Sequence, residues 1–255
     1  MKHITRYLGL LLPALTLAPL ACGEDADPLT RDEFCLRWAD SACSPETVAA
    51  CQAEGLESCI ARQSAFCTTL VQEPFVATRA GECLDAVTRA YSDADLTAEE
   101  LGTVLRLNGA CSGLTSGPVA RGEVCTLDAE CDSPSGDQCV IKSGQEAGTC
   151  QLAVQVDPGL DCSSADAVCT AGFYCNGSNC VGAKPEGEAC ASSAECEEAA
   201  YCSAGACVAG NPTSASCNDD VECASGFCHL PPYGSGVCVD LLRLSLTDPL
   251  CEELR

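Results

Sequence analysis

The chain has 255 residues, 25 of them cysteine, with 37 acidic against 13 basic side chains and a formal net charge of −24. So acidic a surface repels phosphate backbones and anionic headgroups, which argues against nucleic acid as a partner. Five Phe, five Tyr and one Trp are too few for a large apolar core, and Cys and Ala supply much of the 47% hydrophobic fraction, so covalent cross-links are expected to substitute.

Residues 1–21 read as a signal peptide. Lys2 and Arg6 make a positive start, and Leu8 to Leu20 is an apolar run interrupted by Pro13 and Pro19, too short to span a bilayer. It ends in Pro19-Leu20-Ala21-Cys22-Gly23, which resembles a bacterial lipobox, with Pro19 where that pattern prefers Leu. The resemblance implies a lipid on Cys22 and attachment to a membrane through it; ordinary signal cleavage is the rival. Counting favours lipidation. With Cys22 acylated, 24 cysteines remain for twelve disulfides, whereas a free Cys22 leaves an odd thiol in an oxidising compartment. Cleavage removes Lys2 and Arg6 and no acid, so −24 becomes −26. Residues 22–28 then form a short acidic tether without apolar periodicity.

Residues 29–112 are expected to form an α-helical, cysteine-bearing domain. Thr30-Arg31-Asp32-Glu33 and Thr97-Ala98-Glu99-Glu100 are capping boxes, and Ser44-Pro45 is an N-cap followed by proline at the first helical position. Phe34, Trp38, Ala39 and Ala42 share one helical face. Further helices are expected over Leu56 to Val71, around Cys83–Tyr91, and from Leu101 to a stop at Asn108-Gly109. Cys35, Cys43, Cys51, Cys59 and Cys67 stand eight apart, a step that cannot keep them in one stripe on one helix, so short helices folded back on each other are expected. With Cys83 and Cys111 the region holds seven, and one must pair outside it. Cys111 with Cys251 is the expected pair, clamping the C-terminal tail (241–255) back to the start; the partners of Cys35, Cys43, Cys51, Cys59, Cys67 and Cys83 stay open.

Residues 120–240 turn rich in Gly, Ser, Asn, Pro and Cys, and a four-cysteine block recurs over about 122–152, 159–182, 187–209 and 214–240. Such blocks are too small for a core and need two disulfides each. Four cysteines allow three connectivities. First-to-third and second-to-fourth is the expectation: Cys125–Cys139 and Cys131–Cys150, Cys162–Cys175 and Cys169–Cys180, Cys190–Cys202 and Cys196–Cys207, Cys217–Cys228 and Cys223–Cys238. Tyr174, Tyr201 and Phe227 precede third cysteines as candidate aromatic lids, and Asn176-Gly177-Ser178-Asn179 reads as a tight turn rather than a glycosylation site. The fold class is thus small and disulfide-rich: a stapled helical domain followed by four cysteine-rich hairpin or loop repeats.

The motifs Gly122-Glu-Val-Cys125 with Ala129-Glu130-Cys131, and Gly187-Glu-Ala-Cys190 with Ala194-Glu195-Cys196 and Tyr201-Cys202, resemble the Dickkopf N-terminal-type cysteine-rich repeat as it appears in cysteine-rich bacterial lipoproteins. The chain lacks a cysteine that in that group often follows the helix ending here near Tyr91. The resemblance speaks to architecture; it carries no partner over.

Little catalytic chemistry is written in the chain. No Cys-x-x-Cys occurs, and His229 is the one histidine beyond residue 22, which argues against zinc and against a redox motif. His229, in Cys228-His229-Leu230-Pro231-Pro232, reads as a turn residue. Asp93-Ala94-Asp95 starts like a calcium loop but puts Ala98 and Val104 where Gly and Glu are required; weak calcium binding elsewhere on the acidic surface stays open. No cofactor is expected. The leading functional expectation is a non-catalytic interaction or structural module, lipid-anchored on the bacterial cell envelope at the outer membrane or cell surface, with a protein or cell-surface partner. Repeat tips such as Leu230-Pro231-Pro232-Tyr233 are candidate contacts. One alternative is a protease inhibitor presenting Arg121 or Lys184 on a rigid loop; another is an extracytoplasmic enzyme.

Overall fold

The structure, a computed structural model, describes residues 29–230, 235–246, 248–252 and 254. The signal peptide, Cys22 with its tether, and the Pro231–Tyr233 tip lie outside the described residues. The protein is disulfide-rich, with an N-terminal helical region followed by small strand pairs, most of them antiparallel.

Helix α1 (Arg31–Ala42) starts on a complete capping box: Glu33 N donates to Thr30 Oγ1 at 3.3 Å, and Thr30 N to Glu33 Oε2 at 3.0 Å. The Thr30 amide and hydroxyl, donating to the carboxylate, hold Glu33 below the usual carboxylate range. Ser44 caps α2 (Pro45–Cys51), which stops where Gln52 turns left-handed; α3 (Leu56–Leu70) then runs back along α1. Two disulfides record that return. Cys35–Cys67 encloses Cys43–Cys59, a nested pair that makes α1 and α3 antiparallel. Helices α4 (Ala80–Ala90) and α5 (Ala98–Arg106) pack beside each other, and Thr97–Glu100 forms the second capping box. Helix α5 ends one residue before the expected Asn108-Gly109 stop, at Leu107 with φ 55°. Leu107 packs against the core, and that contact offsets the roughly 1–2 kcal/mol that the left-handed conformation costs a branched residue.

The expected Cys111–Cys251 pair is not formed. Cys111 bonds Cys83, tying α4 to the turn after α5, while Cys251 bonds Cys51 across 200 residues of sequence. Cys51 sits at the bend between α2 and α3, at the centre of the nested ladder, where no cysteine of the hairpin stands opposite it. The tail clamp therefore lands on α2. Strand β1 (Asp95–Thr97) also pairs with the last strand of the chain, Leu241–Arg243, with Asp95 opposite Arg243.

These closures gather one continuous core. Phe34, Trp38, Val87, Tyr91, Leu96, Leu101 and Leu114 meet Phe227, Val239, Leu244, Leu250 and Leu254 from the far end of the chain. The few aromatics are concentrated here, with Phe34 against both Trp38 and Phe75. Burial pushes the Tyr91 phenol above its ordinary pKa. Phe227 is not a lid on its own repeat: it is buried in this core, under the Arg106 guanidinium at 5.3 Å from the ring centroid.

Beyond residue 118 the chain forms four units with the same backbone wiring. Unit 1 contains β2 (Val124–Cys125), β3 (Gln138–Val140) and β4 (Gly148–Gln151). Unit 2 has β5 (Val154–Val156), β6 (Ala167–Cys169), β7 (Phe173–Cys175) and β8 (Cys180–Gly182). Unit 3 has β9 (Ala200–Ser203) and β10 (Ala206–Ala209); unit 4 has β11 (Ser216–Cys217), β12 (Cys228–His229) and β13 (Gly236–Cys238), and β14 (Leu241–Arg243) follows. In each unit the first cysteine bonds the third and the second bonds the fourth: Cys125–Cys139 and Cys131–Cys150, Cys162–Cys175 and Cys169–Cys180, Cys190–Cys202 and Cys196–Cys207, Cys217–Cys228 and Cys223–Cys238. Third and fourth cysteines face each other across a hairpin without bonding to each other.

Each unit begins six residues before its first cysteine. Val119, Val156, Lys184 and Asn211 pair in parallel with the second cysteines. A four-residue turn follows, closed by Glu123 N to Ala120 O, Leu160 N to Asp157 O, Glu188 N to Pro185 O and Ala215 N to Pro212 O. Its third residue, Gly122, Gly159, Gly187 or Ser214, has φ between 71° and 89° and donates its N–H to the carbonyl of the fourth cysteine. That is why the repeat opens on glycine.

Candidate functional site

Consecutive units pack hairpin against the next unit's second-cysteine turn: β7 touches the 3-10 turn Ser193–Glu195, and β9 the turn Asp220–Glu222. The acidic residue before the second cysteine anchors that turn. Glu130 accepts from the amides of Thr126 and Leu127, and Glu222 from that of Asn218. The Thr126 and Leu127 amides hold Glu130 below the usual carboxylate range. Glu195 has a further role. Its Oε2 accepts from Lys184 Nζ and its Oε1 from Ser143, while Ser143 Oγ also lies 3.2 Å from Ser192 Oγ. Ser143 belongs to unit 1, whose stretch from third to fourth cysteine is longer than that of unit 2 or 3 and reaches across unit 2 to unit 3.

The adjoining residue, Lys142, fastens the same arm to unit 2. Its Nζ donates to Ala167 O at 2.6 Å and to Cys162 O at 3.2 Å. Among the described residues it belongs to no ion pair. Desolvation holds its ammonium below the usual lysine value, partly offset by Asp166. Glu195 is 5% exposed. Burial is the largest single influence on its carboxyl and pushes it up, but Lys184, Ser143 and the Ala191 amide together outweigh it and leave the pKa lowered. The hydrogen bond to Glu195 raises the Lys184 value, and its Nζ lies 5.3 Å from the Tyr174 ring centroid. These groups wall a cleft of about 450 Å³, completed by Gln145, Ser163, Asn176 and the half-cystines Cys162 and Cys175. Lys142 and Lys184 are the two lysines of the chain beyond residue 22, and both line it.

A second, larger cleft of about 610 Å³ separates the helical region from unit 1, between Leu70, Arg79, Leu107 and Leu114 on one side and Leu127, Asp128 and Gln138 on the other.

The residues singled out in the sequence are scattered. Arg121 donates to Asp137 Oδ1 at 2.7 Å and to Ser135 O, and Lys184 is held by Glu195, so neither projects as an unpaired basic side chain. His229 pairs with Val237 in the β12–β13 ladder, and its Nε2 is buried without a partner. Asp93 accepts from the Asp95 amide, and Asp95 is bound by Arg243 at 3.0 Å, which commits that pair to the tail junction. Asn176 Oδ1 accepts from the amides of Ser178 and Asn179, giving the turn between Cys175 and Cys180. In each unit the sulfurs of the first, second and fourth cysteines lie within 4.8 Å of one another, but each is tied up in a disulfide, and a zinc ligand must be a thiolate. Sequence reading passed over Lys142 and Ser143 and took Glu195 only as part of the repeat motif. The one available signal was that so few lysines remain in the chain.

Comparison with family models, with curated proteins and with solved structures finds no match.

Proposed function

We propose that the chain is a non-catalytic interaction or structural module of the bacterial cell envelope, held at a membrane by a lipid on Cys22. The observation that carries this reading is the closure of the 24 described cysteines on one another. Twelve disulfides join the described cysteines, the last of them from Cys51 to Cys251. That many disulfides fit an extracytoplasmic location. No described helix is long and apolar enough to cross a membrane, and a lipid on Cys22 supplies the anchor in this reading. A body cross-linked in this way presents side chains at little entropic cost on binding, which suits recognition or scaffolding.

Intact mass after export in a bacterium tests the reading. A chain starting at Cys22 and carrying a diacyl or triacyl increment, with no alkylatable thiols, is the expected result. A Cys22→Ser chain should be released from membranes with all twelve disulfides in place. An unlipidated wild-type chain, or one that stays on membranes after Cys22→Ser, overturns the anchor.

A further inference from the structure

We infer that the cleft walled by units 1, 2 and 3 is a binding site for a small, singly charged, hydroxyl-rich anion with the chemistry of a uronic-acid sugar. It stands apart from the anchor: a chain without lipid can bind such a ligand, and a lipidated chain can fail to.

Charge comes first. The cleft is lined by two ammonium groups and one carboxylate, Lys142, Lys184 and Glu195. Both oxygens of Glu195 are already engaged, by Lys184 and by Ser143. Among the described residues Lys142 makes no direct ion pair, Asp166 acting on it only at longer range; two of its three N–H donors go to carbonyls, whose dipoles only partly offset the charge. Counted over its lining side chains, the cleft thus carries an excess of one positive charge, which Asp166 outside the lining reduces in part, on a chain of net charge −24. A half-buried ammonium attracts a nearby anion strongly, because local dielectric is low. The surrounding acid repels anything carrying many charges. One negative charge, compactly placed, is what this balance accepts.

The remaining lining sets the rest of the ligand. Asn176 spends its Oδ1 on the Ser178 and Asn179 amides, which leaves its side-chain NH₂ uncommitted. Gln145 adds an exposed amide that both donates and accepts, and Ser163, whose hydroxyl donates to Asp161, adds an acceptor. Those chemistries match hydroxyls. Tyr174 and the Cys162–Cys175 bridge supply the apolar wall on which sugar C–H groups rest. About 450 Å³ falls within the range of small-ligand sites, enough for a substituted pyranose ring. The walls come from three separately cross-linked units, so the site exists only when the array is assembled.

The test uses the full, oxidised, exported chain, labelled with ¹⁵N and titrated with glucuronate, glucose and acetate. Glucuronate is expected to shift the side-chain amide signals of Asn176 and Gln145 saturably, with Kd of order millimolar, and to bind at least about tenfold more tightly than either glucose or acetate. Lys142→Gln is expected to weaken glucuronate about tenfold and leave any glucose binding unchanged. Gln145→Ala, at an exposed side chain that makes none of the hydrogen bonds fastening the arm, weakens it several-fold and covers the case in which Lys142→Gln disturbs the arm. No saturable shift with glucuronate, equal binding of acetate and glucuronate, or undiminished affinity in both variants each overturns the proposal.

Discussion

The helical region and the four-cysteine units are both threaded with disulfides, but the disulfides do different work in each. In the helical region, four of them run through a core that already contains Phe34, Trp38, Tyr91, Leu96 and Leu101. In units 1 and 4 the buried apolar clusters are built from half-cystines, with Val119 as the one aliphatic neighbour, in unit 1; in unit 2 only Ala167 and Val156 join them. Cross-links reinforce the first region and constitute the interior of the second. An apolar truncation should therefore hurt the helices, whereas the units should respond to lost sulfur bridges, lost turns and lost junctions.

The largest expected effect comes from the bridge that joins the two regions. Replacing Cys51 and Cys251 together by Ser opens a loop of 200 residues. The chain-entropy relation assigns such a closure about 5 kcal/mol, and less where other disulfides already shorten the loop, as they do here. Urea denaturation should show that loss, and hydrogen exchange should show β14 and the terminal helix (Pro249–Glu252) opening while α1 and α3 stay protected. If β14 stays closed, then the packing of Phe227, Leu244 and Leu250 holds the tail by itself.

Trp38→Ala should come next, costing about 3–5 kcal/mol, as deletion of a large buried aromatic does. Trp38 is fully buried between helices. Tyr201→Ala, at a half-buried position of unit 3, should cost under about 1 kcal/mol, since little apolar contact is lost. Thermal denaturation of both variants measures the contrast directly. Equal losses would mean that the units rest on aromatic packing after all.

Acid should separate the regions by another route. The lowered pKa of Glu195 means that its contribution is present above the ordinary carboxylate value and is lost as pH falls through the depressed folded value. Lys184, raised by the same contact, contributes below the ordinary lysine value and loses that contribution as pH rises through its elevated one. The junction of units 1 and 3 is thus tightest between those limits. Below the usual carboxylate range, amides around residues 183–197 should exchange faster while those of α3 and α4 hold. Glu195→Gln should flatten that pH dependence; an unchanged profile would place the acid response in Glu130 or Asp161, whose carboxyls are also held low.

Part of this contrast can be read from the chain itself. Capping boxes at Thr30 and Thr97, and Pro45 after Ser44, mark helix starts because each satisfies an orphan backbone amide or avoids creating one, and the structure begins α1, α2 and α5 there. The regular spacing of Cys35, Cys43, Cys51, Cys59 and Cys67 implies short helices folded back on each other, but it was not carried as far as the rungs. It is also symmetric about Cys51, the pattern of a helical hairpin with rungs at 35–67 and 43–59 and its bend at the odd cysteine. Choosing Cys111 as the unpaired member missed that symmetry. The cleft was legible only in its parts. Lys184, Tyr174 and the Asn176 turn each stood out, but Lys142, Ser143 and Glu195 reach them through the packing of three units, and no local pattern encodes that contact.

The smallest expected effect tests whether the units share one backbone rule. Unit 4 departs from the others by carrying Ser214 where units 1, 2 and 3 have Gly122, Gly159 and Gly187, yet its φ is 71° and its N–H makes the same bond to the fourth cysteine, at 2.8 Å to Cys238 O. A Cβ added at any of the three glycines meets nothing within 4 Å. Space is therefore not what selects glycine there; the backbone conformation is. Ser214 already bears the cost of that conformation, so Ser214→Gly should stabilise unit 4 by about 0.5–1 kcal/mol, after the greater unfolded-state freedom of glycine is deducted from about 1–2 kcal/mol of relieved strain. Gly187→Ala should destabilise unit 3 by a similar amount for the converse reason. Hydrogen exchange at the Cys238 and Cys207 amides, which close these turns onto Ala215 and Glu188, reads both changes within their own units. Slower exchange at Cys238 together with faster exchange at Cys207 is the expected result. A Ser214→Gly chain with unaltered exchange would mean that the turn of unit 4 is held from outside, by its packing on the helical region through Arg106, Asp220 and Phe227.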